Sequence, residues 1–288
     1  MKKRLVSVIT AAVLSAALLA GCGGSSGASS SAPADQGSAA ADSKELTKIT
    51  IAASPTPHAE ILEAAKPLLA EKGYDLDIKV FDDYVQPNEV VNSGEIDANY
   101  FQHINYLEDF NANHGTDLVV AGRIHYEPFG IYPGQKSSLD ELEDGDTIAV
   151  PNDTTNEARA LLLLQDNGIL TLRDGAGLTA TVNDIESYNV NIKIVELAAE
   201  SVKDAIPDAA FVVLNGNYAL EAGLSVGKDA LAYESNDSQA AQTYVNVIAV
   251  KEGHENDEGI LALVEVLKSD AIVQFINDTY DGAVVPFK

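Results

Sequence analysis

The stretch that organises the chain is TIAVPNDTTNEARALLLLQDNG, residues 147–168. It begins with the apolar run Thr147 to Val150, which is typical of a buried strand, and then turns into a predicted helix. Thr154, followed three residues later by Glu157, matches a capping box and is the predicted N-cap. A run of four leucines gives this helix an apolar face, and Gly168 ends it.

Asn156 and Arg159 lie three residues apart on this helix and therefore share a face. An arginine this close to a helix N-terminus opposes the macrodipole, at a cost of about 0.3–1 kcal/mol. A bound carboxylate would reverse that penalty, because the guanidinium can grip it bidentately while the helix end adds its own positive field. The alternative is a surface arginine that pairs with Glu157 or Asp153.

The composition restricts the classes of partner. The chain has 288 residues, of which 46% are hydrophobic and 22% charged, and its formal net charge is −26. This length allows one large or two medium domains with real cores. Such an acidic balance argues against nucleic acid or an anionic membrane face as a partner. With a single cysteine, no intramolecular disulfide is possible.

The N-terminus predicts the location of the protein. Residues 2–4 are basic and residues 5–19 form an apolar segment, which together indicate a signal peptide over residues 1–21. The only cysteine follows in Leu19-Ala20-Gly21-Cys22, which resembles the lipobox of bacterial lipoproteins, so Cys22 is the predicted lipidation site, acylated by palmitate-type chains. The alternative is a secreted protein with an unpaired thiol. Residues 22–45 are rich in Gly, Ser and Ala and read as the lipidated cysteine and a flexible tether. We therefore expect a protein anchored by lipid to the cell membrane and facing outside the cytoplasm.

From residue 46 onward, predicted strands alternate with predicted helices, which indicates α/β lobes with mostly parallel sheets. Pro67 is expected to kink or split the first helix, and residues 169–186 read as a loop with a short helix. Glu127-Pro128, within a long extended segment, suggests a crossing point between two lobes. Ligands of such sheets bind beyond the carboxyl ends of the strands. By that rule, four residues with aromatic rings from the first half of the chain are predicted to line the site: Tyr84, Phe101, His103 and Tyr106. Four residues with amide or guanidinium groups from the second half are predicted to face them: Asn156, Arg159, Asn215 and Asn246. A cleft between the groups would suit a small molecule with an anionic head and an apolar tail, such as an amino acid.

Several runs, in order, resemble the NlpA/MetQ family of methionine-binding lipoproteins that serve ABC importers. The resemblance covers about residues 46–288 and is carried by PHAEIL (57–62), DYVQPN (83–88), NYFQHINYL (99–107), PNDTTNEARALLLL (151–164), NYALEAGL (217–224) and YVN (244–246).

The resemblance implies a two-lobed periplasmic-binding-protein fold, type II-like, with two crossover strands and an interlobe cleft. Lobe 1 would comprise residues 46–126 and 247–288, and lobe 2 residues 127–246. Arg159 would hold the carboxylate of L-methionine with Asn156 beside it, while Asn215 and Asn246 would fix the rest of the head group. The remaining four, Tyr84, Phe101, His103 and Tyr106, would enclose the side chain. The partners implied are an ABC permease with its ATPase, and the membrane through the lipid anchor.

The sequence leaves two alternatives. The same fold could bind a methionine derivative, a methionine-containing dipeptide or another apolar amino acid. A surface hydrolase would need a nucleophile with a base, yet the five histidines show no HExxH spacing and the one G-x-S-x-G, residues 23–27, lies in the tether, without the flanking strand and helix that the motif requires. We therefore expect a monomeric binding protein, not an enzyme, with neither cofactor nor metal.

Overall fold

The computed structural model describes residues 45–234 and 243–287. The signal peptide, Cys22 and the tether lie outside these residues. In the described part, the helices are α1 (Glu60–Glu71), α2 (Gln86–Asn92), α3 (Ile104–His114), α4 (Thr154–Asp166), α5 (Gly216–Glu221), α6 (Val226–Asp229), α7 (Glu258–Leu267) and α8 (Asp270–Tyr280). None of the described helices is long and apolar enough to cross a bilayer.

The strands form two main sheets and one hairpin. A six-stranded sheet contains β1 (Thr47–Ala53), β2 (Tyr74–Val80), β3 (Ala98–His103), β4 (Leu118–Tyr126), β12 (Val245–Lys251) and β13 (Val285–Pro286). A five-stranded sheet contains β5 (Gly130–Pro133), β6 (Thr147–Pro151), β9 (Lys193–Leu197), β10 (Phe211–Leu214) and β11 (Ala232–Tyr233). The hairpin pairs β7 (Leu170–Leu172) with β8 (Ile185–Tyr188).

The strand order shows how the chain passes between the two sheets. The first sheet runs β13-β4-β12-β3-β1-β2, and the second runs β11-β5-β10-β6-β9. After β4 the chain leaves the first sheet through residues 127–129 and begins the second at β5. It returns at β12, which is inserted antiparallel between β3 and β4. The expected two-lobed periplasmic-binding-protein fold, with two connections between lobes, is confirmed.

Each lobe has its own hydrophobic core. In the first, α1, α7 and α8 pack on one face of the sheet around Ile51, Leu62 and Leu263, all fully buried. In the second, the leucines of α4 pack against Phe211 and its neighbours. Because β1 pairs parallel with both β2 and β3, and β6 pairs parallel with both β9 and β10, the segments that follow these strands meet at one edge of each sheet. These edges carry the predicted ligand groups.

The start of α4 differs from the prediction. The N-cap is Asp153, whose Oδ1 accepts the backbone N–H of Asn156 at 3.0 Å, and the helix already begins at Thr154. Glu157 does not close a capping box; its Oε1 accepts the backbone N–H of Val182 at 2.8 Å. The predicted N-cap at Thr154 is therefore wrong by one residue, because an aspartate directly before a threonine offers the better acceptor.

Two other local predictions differ from the structure in part. The first helix is not split at Pro67, since α1 runs unbroken from Glu60 to Glu71 with the proline inside it. The segment predicted as a loop with a short helix contains the β7–β8 hairpin, with only single 3-10 turns between its strands.

Candidate functional site

A pocket is lined from both lobes, beyond the carboxyl ends of their parallel strands. Its empty volume, with the solvent at its mouth included, is ≈ 320 Å³. The lining includes all eight residues that the sequence predicts as ligand-binding: Tyr84, Phe101, His103, Tyr106, Asn156, Arg159, Asn215 and Asn246. It also includes four residues that the sequence reasoning did not select: Gln102, Glu127, Gly216 and Asn217.

One wall of the pocket is aromatic. The ring of Tyr84 lies 5.6 Å from that of Phe101 and 5.6 Å from that of Tyr106, measured between centroids. Tyr218 from α5 packs on Tyr84 at 5.0 Å and so supports this wall from the second lobe. The rings belong to one buried cluster, and the face that they turn to the pocket suits an apolar side chain.

Arg159 is buried, with only 4% of its surface exposed. Its Nε donates to Glu234 Oε1 at 2.8 Å and its Nη2 to Glu234 Oε2 at 2.5 Å, so the carboxylate is held bidentately. Burial opposes the charge of the guanidinium, but Glu234 outweighs it and raises the pKa of Arg159 above its ordinary value. The ring of Tyr244 lies 4.1 Å from the guanidinium carbon. The alternative of a surface arginine paired with Glu157 or Asp153 is wrong.

Asn156, Asn215 and Asn217 are three of the amides that line the pocket, and the first two are hydrogen-bonded to each other. Asn156 Nδ2 donates to Asp153, and its Oδ1 accepts Asn215 Nδ2 at 2.9 Å and His103 Nε2 at 3.1 Å. Asn217 Oδ1 accepts the Tyr84 hydroxyl at 2.5 Å.

Two atoms of these amides, Asn215 Oδ1 and Asn217 Nδ2, are buried without a hydrogen-bond partner among the described residues. Their residues are 6% and 2% exposed. Buried polar atoms are rarely left unpaired, because each costs about 1–3 kcal/mol. The site therefore offers one acceptor and one donor to a ligand that carries the complementary groups.

His103 has a fixed tautomer. Its Nδ1 accepts the backbone N–H of Tyr106 at 3.0 Å, which makes it the N-cap of α3, so its Nε2 carries the proton donated to Asn156. Burial, with a smaller contribution from the charge of Arg159, lowers the pKa of His103 to about 3. The ring is therefore a neutral donor.

Behind the pocket, Glu127 meets two buried histidines. Its Oε1 lies 2.7 Å from His125 Nε2 and 3.4 Å from His58 Nε2. These three are the one group among the described residues whose ligand atoms lie close enough to one another to hold a metal, within 4.8 Å. The ring nitrogens are engaged by protein groups, namely Ser54, Asn246, Tyr100 and Glu127 itself. The arrangement is thus satisfied as a hydrogen-bonded network.

The sequence model of the NlpA lipoprotein family matches residues 49–288. The chain belongs to this family. It is 41% identical over 277 residues to the methionine-binding lipoprotein MetQ of Bacillus subtilis, covering 94% of each chain. A crystal structure of a putative lipoprotein from Ruminococcus gnavus is 69% identical, with a TM-score of 0.83, over 84% of this chain and 100% of that one. A nutrient-binding protein from Burkholderia cenocepacia, solved bound to methionine, is 37% identical, with a TM-score of 0.80, over 83% of this chain and 100% of that one.

In this member of the NlpA lipoprotein family, the site residues that the sequence analysis did not select differ in whether the sequence could have indicated them. Gln102 hydrogen-bonds to Asn88 of α2 and Asn99 of β3, so it links these two elements as well as lining the pocket. Glu127 stands in Glu127-Pro128, which the sequence indicates only as a crossing point. Asn217 follows Asn215 by two residues, a spacing that could have marked both as site amides. Glu234 gives no local signal, since its pairing with Arg159 joins residues 75 positions apart.

Proposed function

We propose that the chain is the substrate-binding lipoprotein of an ABC importer, not an enzyme, and that it captures methionine in this pocket for delivery to the permease. The observation that carries the proposal is the pair of amide atoms, Asn215 Oδ1 and Asn217 Nδ2, that have no partner among the described residues, in a pocket also lined by a buried guanidinium and by aromatic rings. An α-amino acid carries an ammonium group and a carboxylate on one carbon. The ammonium can donate to Asn215 Oδ1, and the carboxylate can accept from Asn217 Nδ2. The methionine-bound relative supports the same class of ligand.

The pocket suggests how methionine would lie. Because Nε and Nη2 of Arg159 donate to Glu234 and to the main-chain oxygen of Glu127, the carboxylate would face Arg159 Nη1 and Asn217 Nδ2, where a charge-assisted hydrogen bond gains most. Its ammonium group would face Asn215 Oδ1 and the neighbouring Asn246. The thioether would lie against Tyr84, Phe101 and Tyr106, where a sulfur beside a ring contributes about 0.3–1.5 kcal/mol. Arg159 and Asn156 thus take the roles that the family resemblance implies.

The lobes and the anchor are part of the proposal. We assign lobe 1 to residues 46–126 and 247–288 and lobe 2 to residues 127–246. These would close on the ligand by hinge motion at the two connections. Cys22 would carry the lipid, and residues 22–45 would tether the folded part outside the cytoplasm. Two or more acyl chains give stable anchoring where one gives only marginal binding.

Isothermal titration tests the ligand. The purified protein is unfolded in denaturant, dialysed to remove any ligand and refolded, while the released small molecules are identified by mass spectrometry. L-methionine is then compared with D-methionine, a methionine-containing dipeptide, leucine and an oxidised methionine. We expect the strongest binding for methionine, and tighter binding of another member of the panel would reassign the ligand.

Variants of Arg159 test the site. Arg159→Lys keeps the positive charge but loses the fork and the stacking on Tyr244, so affinity should fall by about 2 kcal/mol or more. Arg123→Lys, on an exposed position of β4, is the matched control and should bind as the wild type does. Equal affinity of both variants for methionine would contradict a role of Arg159 in ligand binding.

A further inference from the structure

Two buried hydrogen-bonded chains converge behind the pocket. In the first, the Ser54 hydroxyl lies 2.6 Å from His58 Nδ1, and His58 Nε2 lies 3.0 Å from Asn246 Oδ1. In the second, the Tyr100 hydroxyl contacts His125 Nδ1, and His125 Nε2 lies 2.7 Å from Glu127 Oε1. All members are buried, and each chain ends at a side chain that lines the pocket.

The chemistry of the end groups decides which atoms donate and which accept in both chains of hydrogen bonds. A carboxylate and an amide oxygen only accept hydrogen bonds, so the Nε2 atoms of His58 and His125 donate. Their Nδ1 atoms then accept from the hydroxyls of Ser54 and Tyr100. Burial lowers the pKa of His58 to about 4 and that of His125 to about 3, so each ring is neutral and carries the single N–H that this direction needs.

With both rings neutral, Glu127 has no formal cation of its own. The charge of Arg159 is matched by the bidentate Glu234, and Arg159 reaches only the main-chain oxygen of Glu127, at 3.0 Å. Among the described residues that line the pocket, Arg159 and Glu127 are the two with charged side chains. A buried carboxylate without a cation is costly and gains most from a cation brought by the ligand.

The backbone keeps this carboxylate in place. Burial raises the pKa of Glu127, and the backbone N–H of Asn217 opposes part of that shift by favouring the charged form. Gly216 leaves no space for a Cβ, which would lie 2.7 Å from Glu127 Oε2. Glu127 is therefore held by His125 of β4 and by the backbone at the start of α5. Neither contact neutralises its charge.

We propose that Glu127 is the counter-charge for the ligand's α-ammonium group, and that His58 and His125 are positioning residues that aim Asn246 and Glu127 at it. The site then selects ligands with a free α-ammonium group and discriminates against molecules that carry only the acid and the side chain. This inference rests on the proposed function, because it presumes an amino-acid ligand.

Titration of two proteins with two ligands tests the role of Glu127. The ligands are L-methionine and its desamino analogue, 4-(methylsulfanyl)butanoate, and the proteins are the refolded wild type and Glu127→Gln. We expect the wild type to prefer methionine by about 100-fold or more. Glu127→Gln should lose most of that preference through weaker methionine binding, with the affinity for the analogue unchanged or higher. Equal losses for both ligands, or a wild type that binds both equally, would overturn the inference.

The comparison of methionine with its desamino analogue on the wild type needs no variant, so it tests the inference even if Glu127→Gln does not fold. A wild type that binds neither ligand would instead overturn the proposed function.

A pair of buried tyrosines tests the positioning role of His125. Tyr100→Phe removes the hydroxyl that fixes its tautomer, whereas Tyr132→Phe removes a buried hydroxyl that has no partner among the described residues. We expect Tyr100→Phe to reduce the methionine-to-analogue affinity ratio several-fold and Tyr132→Phe to leave it unchanged. Lower stability of Tyr100→Phe with an unchanged ratio would show a purely structural role and overturn the assignment.

Discussion

At the scale of single residues, Gly216 shows how closely the backbone approaches the buried carboxylate of Glu127. A Cβ at this position would lie 2.7 Å from both Cβ and Oε2 of Glu127. Gly216→Ala must therefore move Glu127 or the start of α5, and overpacking of this kind costs about 1–3 kcal/mol. We expect lower stability in urea unfolding and weaker ligand binding in titration.

Gly227 provides the matched control for this glycine. It also lies in a short helix, but the atom nearest to the position of a Cβ, the main-chain oxygen of Asp281, is 3.9 Å away. Gly227→Ala should be neutral or slightly stabilising, because alanine favours the helix. If both variants behave alike, the contact between Gly216 and Glu127 does not constrain the site.

His103 predicts a pH dependence. Its pKa is about 3 in the folded chain, against an ordinary value of 6.5. Below about pH 6.5, His103 is therefore protonated in the unfolded chain but stays neutral in the folded chain. The free energy of unfolding falls as the pH falls. The slope from this residue is at most about 1.4 kcal/mol per pH unit.

Urea unfolding at several pH values, for wild type and His103→Asn, isolates this contribution. Asparagine can still cap α3 but does not titrate. We expect the stability of the wild type, relative to the variant, to fall between about pH 6.5 and pH 4. A constant difference between the wild type and His103→Asn would contradict the neutral assignment.

The residues of the site could be predicted to different extents. All eight predicted residues line one pocket. Seven of them lie at or shortly after the carboxyl ends of β2, β3, β6 and β10, which local patterns locate, and Asn246 lies at the start of β12, where antiparallel pairing places it beside His103. Glu127 and Glu234 could not be assigned roles in this way. Their roles depend on contacts with His58 and Arg159, which lie far away in the sequence. Local patterns locate the elements that carry a site but not the long-range side-chain contacts within it.

At the scale of elements, the first turn of α4 connects helix capping with ligand binding. Asp153 caps the helix and also accepts Asn156 Nδ2 at 2.9 and 3.0 Å. Asp153→Ala should therefore cost about 1 kcal/mol of stability through the lost cap. It should also weaken ligand binding, because Asn156 would lose the contact that orients its Oδ1 towards Asn215.

Thr154→Ala is the control for this cap. Thr154 is the residue that the sequence pattern favours, but it lies inside the helix. We expect its removal to change stability by less than about 0.5 kcal/mol and affinity not at all. Thermal unfolding and titration of both variants would decide the assignment, and a larger effect at Thr154 would restore the capping box.

The elements themselves were more predictable than their ends. Strand and helix alternation placed the main sheets and long helices, because burial imposes periods of two and 3.6 residues. The β7–β8 hairpin was missed because its strands are only three and four residues long. At Pro67 the packing of α1 on its sheet overrides a residue that usually interrupts helices.

At the scale of the whole molecule, the lobes are joined across the pocket by direct hydrogen bonds as well as by the chain. The hydroxyl of Tyr218, on α5 after β10, donates to the main-chain oxygen of Asp82, after β2, at 2.8 Å. Nearby, Tyr84 donates to Asn217 across the same gap. These bonds exist only when the segments after β2 and β10 are in contact, so they stabilise the closed arrangement relative to an open one.

Tyr218→Phe removes one of these bonds while keeping the ring that packs on Tyr84. A neutral hydrogen bond contributes about 0.5–1.5 kcal/mol, so ligand affinity should fall about two- to twelvefold. Most of the loss should appear as faster dissociation, since the bond forms after the ligand has entered. Tyr188→Phe, on the β7–β8 hairpin and 38% exposed, is the control and should leave the dissociation rate unchanged. Stopped-flow displacement of bound methionine measures both rates. An unchanged rate for Tyr218→Phe would mean that closure depends on the ligand and the chain connections alone, without this contact between the lobes.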